Sequence, residues 1–118
     1  MPRPAGPAMA RALSFGLSLL LATFACFAAF AAPPAERQKE LIHRLKHDCG
    51  SCHGMTLKGG LGPALLPTAI ADKPNEVLVD VILYGLPGTP MPPWGFEIAP
   101  EEAAWLARRL KEGLPDGN

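Results

Sequence analysis

Apolar residues along this chain form one uncharged block near the start and three later stretches in which they recur at helical spacing. In the first of these stretches, residues 35–48, Leu41, Ile42 and Leu45 share one side and charged residues occupy the rest. Positions three and four apart lie on the same face of an α-helix, so this spacing predicts an amphipathic helix. Its end leads directly into a cluster of cysteines.

Two further helices are predicted in the second half of the chain. One begins near Pro74 or Asn75 and ends before Gly85, and its apolar members are Val77, Leu78, Val81 and Ile82. The other runs from Pro100 to Gly113, with acidic residues in its first turn and basic residues in its last, as the helix dipole favours. Its predicted core residues are Ala103, Trp105, Leu106, Ala107 and Leu110.

The stretch from Met55 to Ala71 has no sustained hydrophobic period and is broken by glycine and proline, so it is predicted to be a loop. A loop this long in a small domain is expected to surround a functional group. No stretch alternates as a strand does. The expected fold is therefore all-α, with about three helices and one domain.

The uncharged block is typical of a secretory signal peptide. It runs from Leu13 to Ala32, follows Arg3 and Arg11, and ends near Ala29-Phe30-Ala31, a pattern that signal peptidase cleaves. We predict that residues 1–31 are this leader. The rest of the chain is then expected in the periplasm.

Removing the leader leaves residues 32–118 as the mature domain. Two of the eleven basic residues leave with it, so nine remain against eleven acidic ones, a formal charge of −2 that argues against a nucleic-acid partner. We expect no membrane attachment after cleavage. An uncleaved leader is the main alternative, since twenty apolar residues span a bilayer. A lipid anchor on Cys26 is disfavoured because bulky Phe24 precedes it closely.

The most informative motif is Cys49-Gly50-Ser51-Cys52-His53, a Cys-X-X-Cys-His run typical of covalent haem attachment. Two thiols three positions apart reach the two vinyl groups on one edge of the porphyrin, and His53 then lies beneath the iron as the proximal ligand. The prediction is one covalent haem c per chain. Half of a zinc site is an alternative, but no second ligand pair follows downstream. A redox dithiol is another, and it needs no adjacent histidine.

The second axial ligand is predicted to be Met91. It stands in a proline-rich loop, whose restricted backbone presents the sulfur with little entropy left to lose. Met55, two residues after the proximal histidine, lies on the wrong side of the porphyrin. His43 and His47 precede the motif on its helix and are less favoured for iron.

The Gly62-Pro63 pair is a candidate for supporting the proximal histidine. A carbonyl oxygen nine or ten residues after His53 is able to accept the hydrogen of the imidazole nitrogen that does not bind iron, which would fix the ring. The alternative is that Pro63 only forms a turn.

The order of these features resembles class I cytochrome c over nearly the whole mature chain. An amphipathic helix is followed by the Cys-X-X-Cys-His motif, then Gly-Pro, a methionine in a proline loop, and a terminal helix with a tryptophan. The stretches 48–65 and 88–94 look more narrowly like the small periplasmic cytochromes encoded beside the haem-d nitrite reductase of denitrifying bacteria. The resemblance implies Cys49 and Cys52 as attachment residues, His53 and Met91 as axial ligands, and Pro63 as the hydrogen-bond acceptor.

This resemblance implies an electron carrier rather than an enzyme. With both axial positions filled, the iron has no open site for a substrate. The expected partners are the nitrite reductase and an upstream donor that receives electrons from quinol, and the carrier is expected to be a monomer. Two alternatives are an accessory protein in maturation of the reductase's haem d, and a haem sensor or enzyme in which Met91 dissociates.

Overall fold

The computed structural model describes Met1 and residues 31–114. The chain divides into two units between Ala31 and Ala32, and the second unit carries the predicted mature domain. The predicted signal peptide and Cys26 lie outside the described residues, except for the two ends of the leader.

The described part of the chain is helical, which confirms the all-α prediction, and it contains no strand between residues 31 and 114. The first helical segment is continuous through three parts: α1, one π-helical turn, and α2. Three separate helices follow it. The elements are α1 (Ala35–Arg44), the π turn (Leu45–Cys49), α2 (Gly50–His53), α3 (Pro67–Ile70), α4 (Asn75–Tyr84) and α5 (Pro100–Glu112).

The core lies around α5, which packs against α4, α3 and α1. All five core residues predicted on α5 are buried, Trp105 among them with 7% of its surface exposed. They meet Leu41 and Leu45 from the first helical segment, and Ile70 and Leu83 from α3 and α4. The apolar faces that the sequence predicted on the first and last helices are therefore the faces that pack.

Charged side chains connect the outer sides of α1 and α5. The Arg37 guanidinium holds both carboxylate oxygens of Glu102, at 2.6 and 2.8 Å, and donates a third bond of 2.9 Å to the Glu97 carbonyl oxygen. Glu102 also accepts the backbone N–H of Ala99 and so caps α5. Arg44 pairs with the Glu97 carboxylate. This Arg37–Glu102 pair is partly buried, unlike most ion pairs between residues 31 and 114.

Three details differ from the predicted elements. The first helix does not end at Asp48 but continues through the π turn to His53, so the cysteines lie on helical backbone. The loop after it contains α3, four residues that begin with Pro67 and are too short to show a period. On α4, Val77 is 47% exposed and Leu83 is buried, so the packed face is rotated from the predicted one.

None of the helices between residues 31 and 114 combines the length and the apolar character that a bilayer crossing requires.

Candidate haem site

The Cys-X-X-Cys-His motif lies on the last turns of the first helical segment. Cys49 closes the π turn, while Cys52 and His53 end α2, where Gly54 takes a left-handed backbone with φ of +90°. Residues three apart on a helix have Cβ atoms about 5–6 Å apart, so the two thiols share one side. Both thiols are free and half-buried. The geometry suits attachment of one extended group at two neighbouring points.

Burial raises the pKa of the Cys49 thiol to about 11, and the neighbouring Asp48 carboxylate adds to the effect. The thiol is thus protonated at neutral pH. Zinc binding and dithiol redox chemistry both use the thiolate, which this environment disfavours. In addition, the part of the chain that the structure describes contains no group of three or more His, Cys, Asp or Glu side chains arranged to hold a metal ion.

The loop after the motif folds back onto the end of α2. The backbone N–H of Gly59 donates to the His53 carbonyl oxygen at 2.8 Å, and that of Gly62 donates to the Cys52 carbonyl oxygen at 2.9 Å. Leu57, with 1% of its surface exposed and a left-handed φ of 57°, anchors the loop in the core. Gly59 and Gly62, which interrupt any helical period in this stretch, are therefore points at which two backbone segments lie in hydrogen-bond contact.

This loop positions the imidazole of His53. Its Nδ1 atom lies 2.7 Å from the carbonyl oxygen of Pro63. A carbonyl oxygen only accepts hydrogen bonds, so Nδ1 carries the proton, and the lone pair is on Nε2. Gly62 lies against the same ring: a Cβ at this position would be 2.7 Å from the ring Cε1 atom. The close fit requires glycine at 62, a role that the sequence analysis did not assign, although the glycine itself was part of the Gly-Pro pair.

Met91 lies half-buried in the loop between α4 and α5. Its carbonyl oxygen accepts the N–H of Leu86 at 3.2 Å, and its N–H donates to the Thr89 hydroxyl at 3.3 Å. The end of the loop is tied to α4, since Trp94 N–H donates to the Ile82 carbonyl oxygen at 2.9 Å. A Cβ on Gly85 would approach the Met91 carbonyl oxygen to 2.7 Å. The loop is therefore held by its own backbone as well as by its prolines.

The alternative ligands are Met55, His43 and His47, all of which the structure describes. Met55 is 58% exposed, and its sulfur is 3.6 Å from where a Cβ on Gly50 would stand, so it packs beside the motif helix. His43 and His47 are exposed on that helix and lie against each other.

The residues present fit a covalently bound haem. Two half-buried thiols share one side of a helical turn, and the adjacent imidazole has its Nδ1 proton bonded to a carbonyl, which leaves Nε2 for a metal. Cys49 and Cys52 would hold the porphyrin, and His53 would bind its iron. A neutral nitrogen donor of this kind suits iron.

Comparison with known proteins leads to the same class. Residues 36–108 match the family described as cytochrome c oxidase, cbb3-type, subunit III. A cytochrome c55X of Pseudomonas aeruginosa is 52% identical over 113 residues, covering 92% of this chain and 95% of the relative. One from Paracoccus denitrificans is 46% identical over 94 residues, covering 80% and 91%. A solved structure of the c-type cytochrome NirC has 55% identity and a TM-score of 0.68, covering 70% of this chain and 96% of its own.

The chain therefore belongs to the c-type cytochromes, which confirms the resemblance inferred from the order of its motifs. With a single Cys-X-X-Cys-His motif it is a monohaem electron carrier. Within the family, a cytochrome c55X and the cytochrome NirC are among the proteins that it resembles over nearly their whole length.

Proposed function

We propose that this chain carries single electrons in the periplasm to a dissimilatory nitrite reductase that contains haem d. Support for the partner comes from the resemblance of residues 48–65 and 88–94 to the cytochromes encoded beside that reductase, together with 52% and 55% identity to proteins named cytochrome c55X and NirC. Support for the carrier role comes from the site. The single observation that carries it is the bond from His53 Nδ1 to the Pro63 carbonyl oxygen, because it leaves Nε2 as the only ring nitrogen able to bind iron.

In this proposal Cys49 and Cys52 would attach one haem, and His53 and Met91 would be the ligands of its iron. When bound, the haem supplies a one-electron couple between Fe(III) and Fe(II). The Pro63 carbonyl oxygen keeps the His53 ring in one orientation and one tautomer, and makes it a stronger donor. The backbone bonds of the Met91 loop limit the movement of its thioether, so Met91 would keep a bound iron closed to substrates, as a carrier requires and an enzyme does not.

The decisive experiment is electron transfer to the purified reductase. The reduced holoprotein is mixed with the reductase and nitrite in a stopped-flow instrument, and oxidation of the cytochrome is followed by its visible absorption band. We expect oxidation over many turnovers, at a rate that depends on the reductase concentration. The matched control is reductase from which haem d has been removed, with which the cytochrome should stay reduced.

The alternative role in haem-d maturation gives a different pattern. A reduced cytochrome that does not support nitrite turnover, together with a deletion strain whose reductase lacks haem d, would assign the chain to maturation. The sensor or enzyme alternative is tested with carbon monoxide: rapid and complete binding to the reduced protein at neutral pH would show that Met91 does not close the iron.

Export is tested separately. We propose cleavage close to Ala31, so the protein isolated from a periplasmic extract should begin near Ala32. A mass that still includes residues 1–31, in a membrane fraction, would support the anchor alternative.

A further inference from the structure

His43 and His47 form a pair that the carrier function does not use. Both are exposed, and their ring centroids are 4.3 Å apart with the ring planes inclined by 36°. Within residues 31–114 neither imidazole takes part in a hydrogen bond or an ion pair. Their nitrogens are therefore open to a ligand from solvent.

The π turn explains why the two rings come together. In a regular α-helix, residue i+4 lies about 40° around the axis from residue i. His47 lies in the wider turn Leu45–Cys49, in which the N–H of Gly50 donates to the Leu45 carbonyl oxygen five residues earlier. A wider turn reduces the rotation between positions four apart, so the rings lie more nearly above one another.

We propose that His43 and His47 form a surface chelating site for a divalent transition-metal ion such as Zn²⁺ or Cu²⁺. Imidazole nitrogen is a preferred ligand of both ions, and two histidines four apart on a helix are a recognised zinc-binding arrangement. With a zinc–nitrogen distance of about 2.0–2.1 Å and tetrahedral angles, the two nitrogens must be roughly 3.3 Å apart. The rings are exposed with centroids 4.3 Å apart, so the proposal requires only a rotation of these side chains to bring one nitrogen of each to this separation.

Water molecules complete the coordination of this ion. In the part of the chain that the structure describes, no third His, Cys, Asp or Glu side chain joins the pair to make a larger group of ligands. The site is thus an open one, distinct from the haem iron, and its affinity depends on both rings acting together. Losing either ring should weaken binding on the order of a hundredfold, because the second bond is intramolecular.

The test is calorimetric titration of Zn²⁺ into the untagged ferric holoprotein at neutral pH. We expect one ion per monomer, and binding weaker by on the order of a hundredfold in each of the variants His43→Ala and His47→Ala. The matched control is Lys39→Ala on the same helical segment, whose side chain is 74% exposed and paired with Glu36. It should bind Zn²⁺ like the parent protein. An unchanged haem absorption spectrum verifies that each variant is folded.

Two outcomes would overturn the proposal. Either no heat of binding at millimolar Zn²⁺ is detected, or the histidine variants bind as tightly as the control, which would place the ion elsewhere. As an independent measurement, the electron paramagnetic resonance spectrum of added Cu²⁺ should show coupling to two imidazole nitrogens in the parent protein and to one in each variant. A stoichiometry of one ion per two chains in a dimer would contradict the proposal that water molecules complete the coordination of the ion.

Discussion

The contact between Gly62 and His53 makes Gly62→Ala a sharp test of how the proximal ligand is held. The added methyl carbon would lie 2.7 Å from Cε1, 2.8 Å from Nδ1 and 3.2 Å from Nε2 of the imidazole. Real Cβ atoms do not approach other heavy atoms so closely, so the ring has to move. Such a movement lengthens the 2.7 Å contact between Nδ1 and the Pro63 carbonyl oxygen.

The expected loss of stability in Gly62→Ala has two parts. Forcing one extra methyl group into a packed position costs about 1–3 kcal/mol, and losing a hydrogen bond costs about 0.5–1.5 kcal/mol. We therefore expect Gly62→Ala to lower the free energy of unfolding by about 2–4 kcal/mol. The reduction potential should also rise, because an imidazole without its carbonyl acceptor is a weaker donor and stabilises Fe(III) less.

The assay is denaturant unfolding of the ferric holoprotein, followed by redox titration of the same samples. Gly50→Ala is the matched control, since its added Cβ would meet the nearest atom, Met55 Cα, at an ordinary 3.4 Å. It lies on helical backbone within the same motif and should be neutral or slightly stabilising. If Gly62→Ala is as stable as Gly50→Ala and keeps the parent potential, the proposed role of the glycine and of the Pro63 bond is wrong.

Three further predictions concern single side chains. Met91→Ala should remove the absorption band of a thioether bound to ferric iron and lower the potential, and an intact band would mean that another group is the ligand. Cys52→Ser should leave haem attached through one thioether, so mass spectrometry that finds two bonds would refute the assignment of this thiol. The hydrogen bonds from Arg37 hold the pKa of Glu102 below its ordinary value of 4.5. The ionised carboxylate therefore stabilises the fold fully above pH 4.5, and this contribution is lost as the pH falls through the lowered pKa. Arg37→Ala should therefore reduce stability at pH 7 and flatten its acid dependence, and equal slopes of unfolding free energy against pH would contradict this.

The helices and the core were largely predictable because their signals are local. The apolar faces of the first and last helices repeat every three or four residues, and the structure buries Leu41, Leu45 and Leu106 as that period requires. The α4 face was shifted, since apolar residues surround most of that helix and its period is weak. The short helix α3 offered only Pro67 as a sign of its start.

The site was predictable in its chemistry but not in its contacts. The spacing of Cys49, Cys52 and His53 carries its own mechanism, so the motif alone indicated haem. The approach of Gly62 to the imidazole joins residues nine apart through a loop without a period, and no sequence rule gives such a distance. The two ends of the Arg37–Glu102 pair are 65 residues apart, beyond any local pattern.

The π turn has a consequence for moving this motif into other proteins. A helix with one π turn contains one residue more than an α-helix connecting the same two points. The angle around the helix axis between Leu41 and Cys49 therefore differs from the angle that eight residues of regular α-helix would give. A designer who transplants the motif with its preceding helix onto an ideal α-helical scaffold would turn the thiols by about 100° unless one residue is deleted. The π turn thus fixes the angle around the helix axis between the core residues and the attachment cysteines.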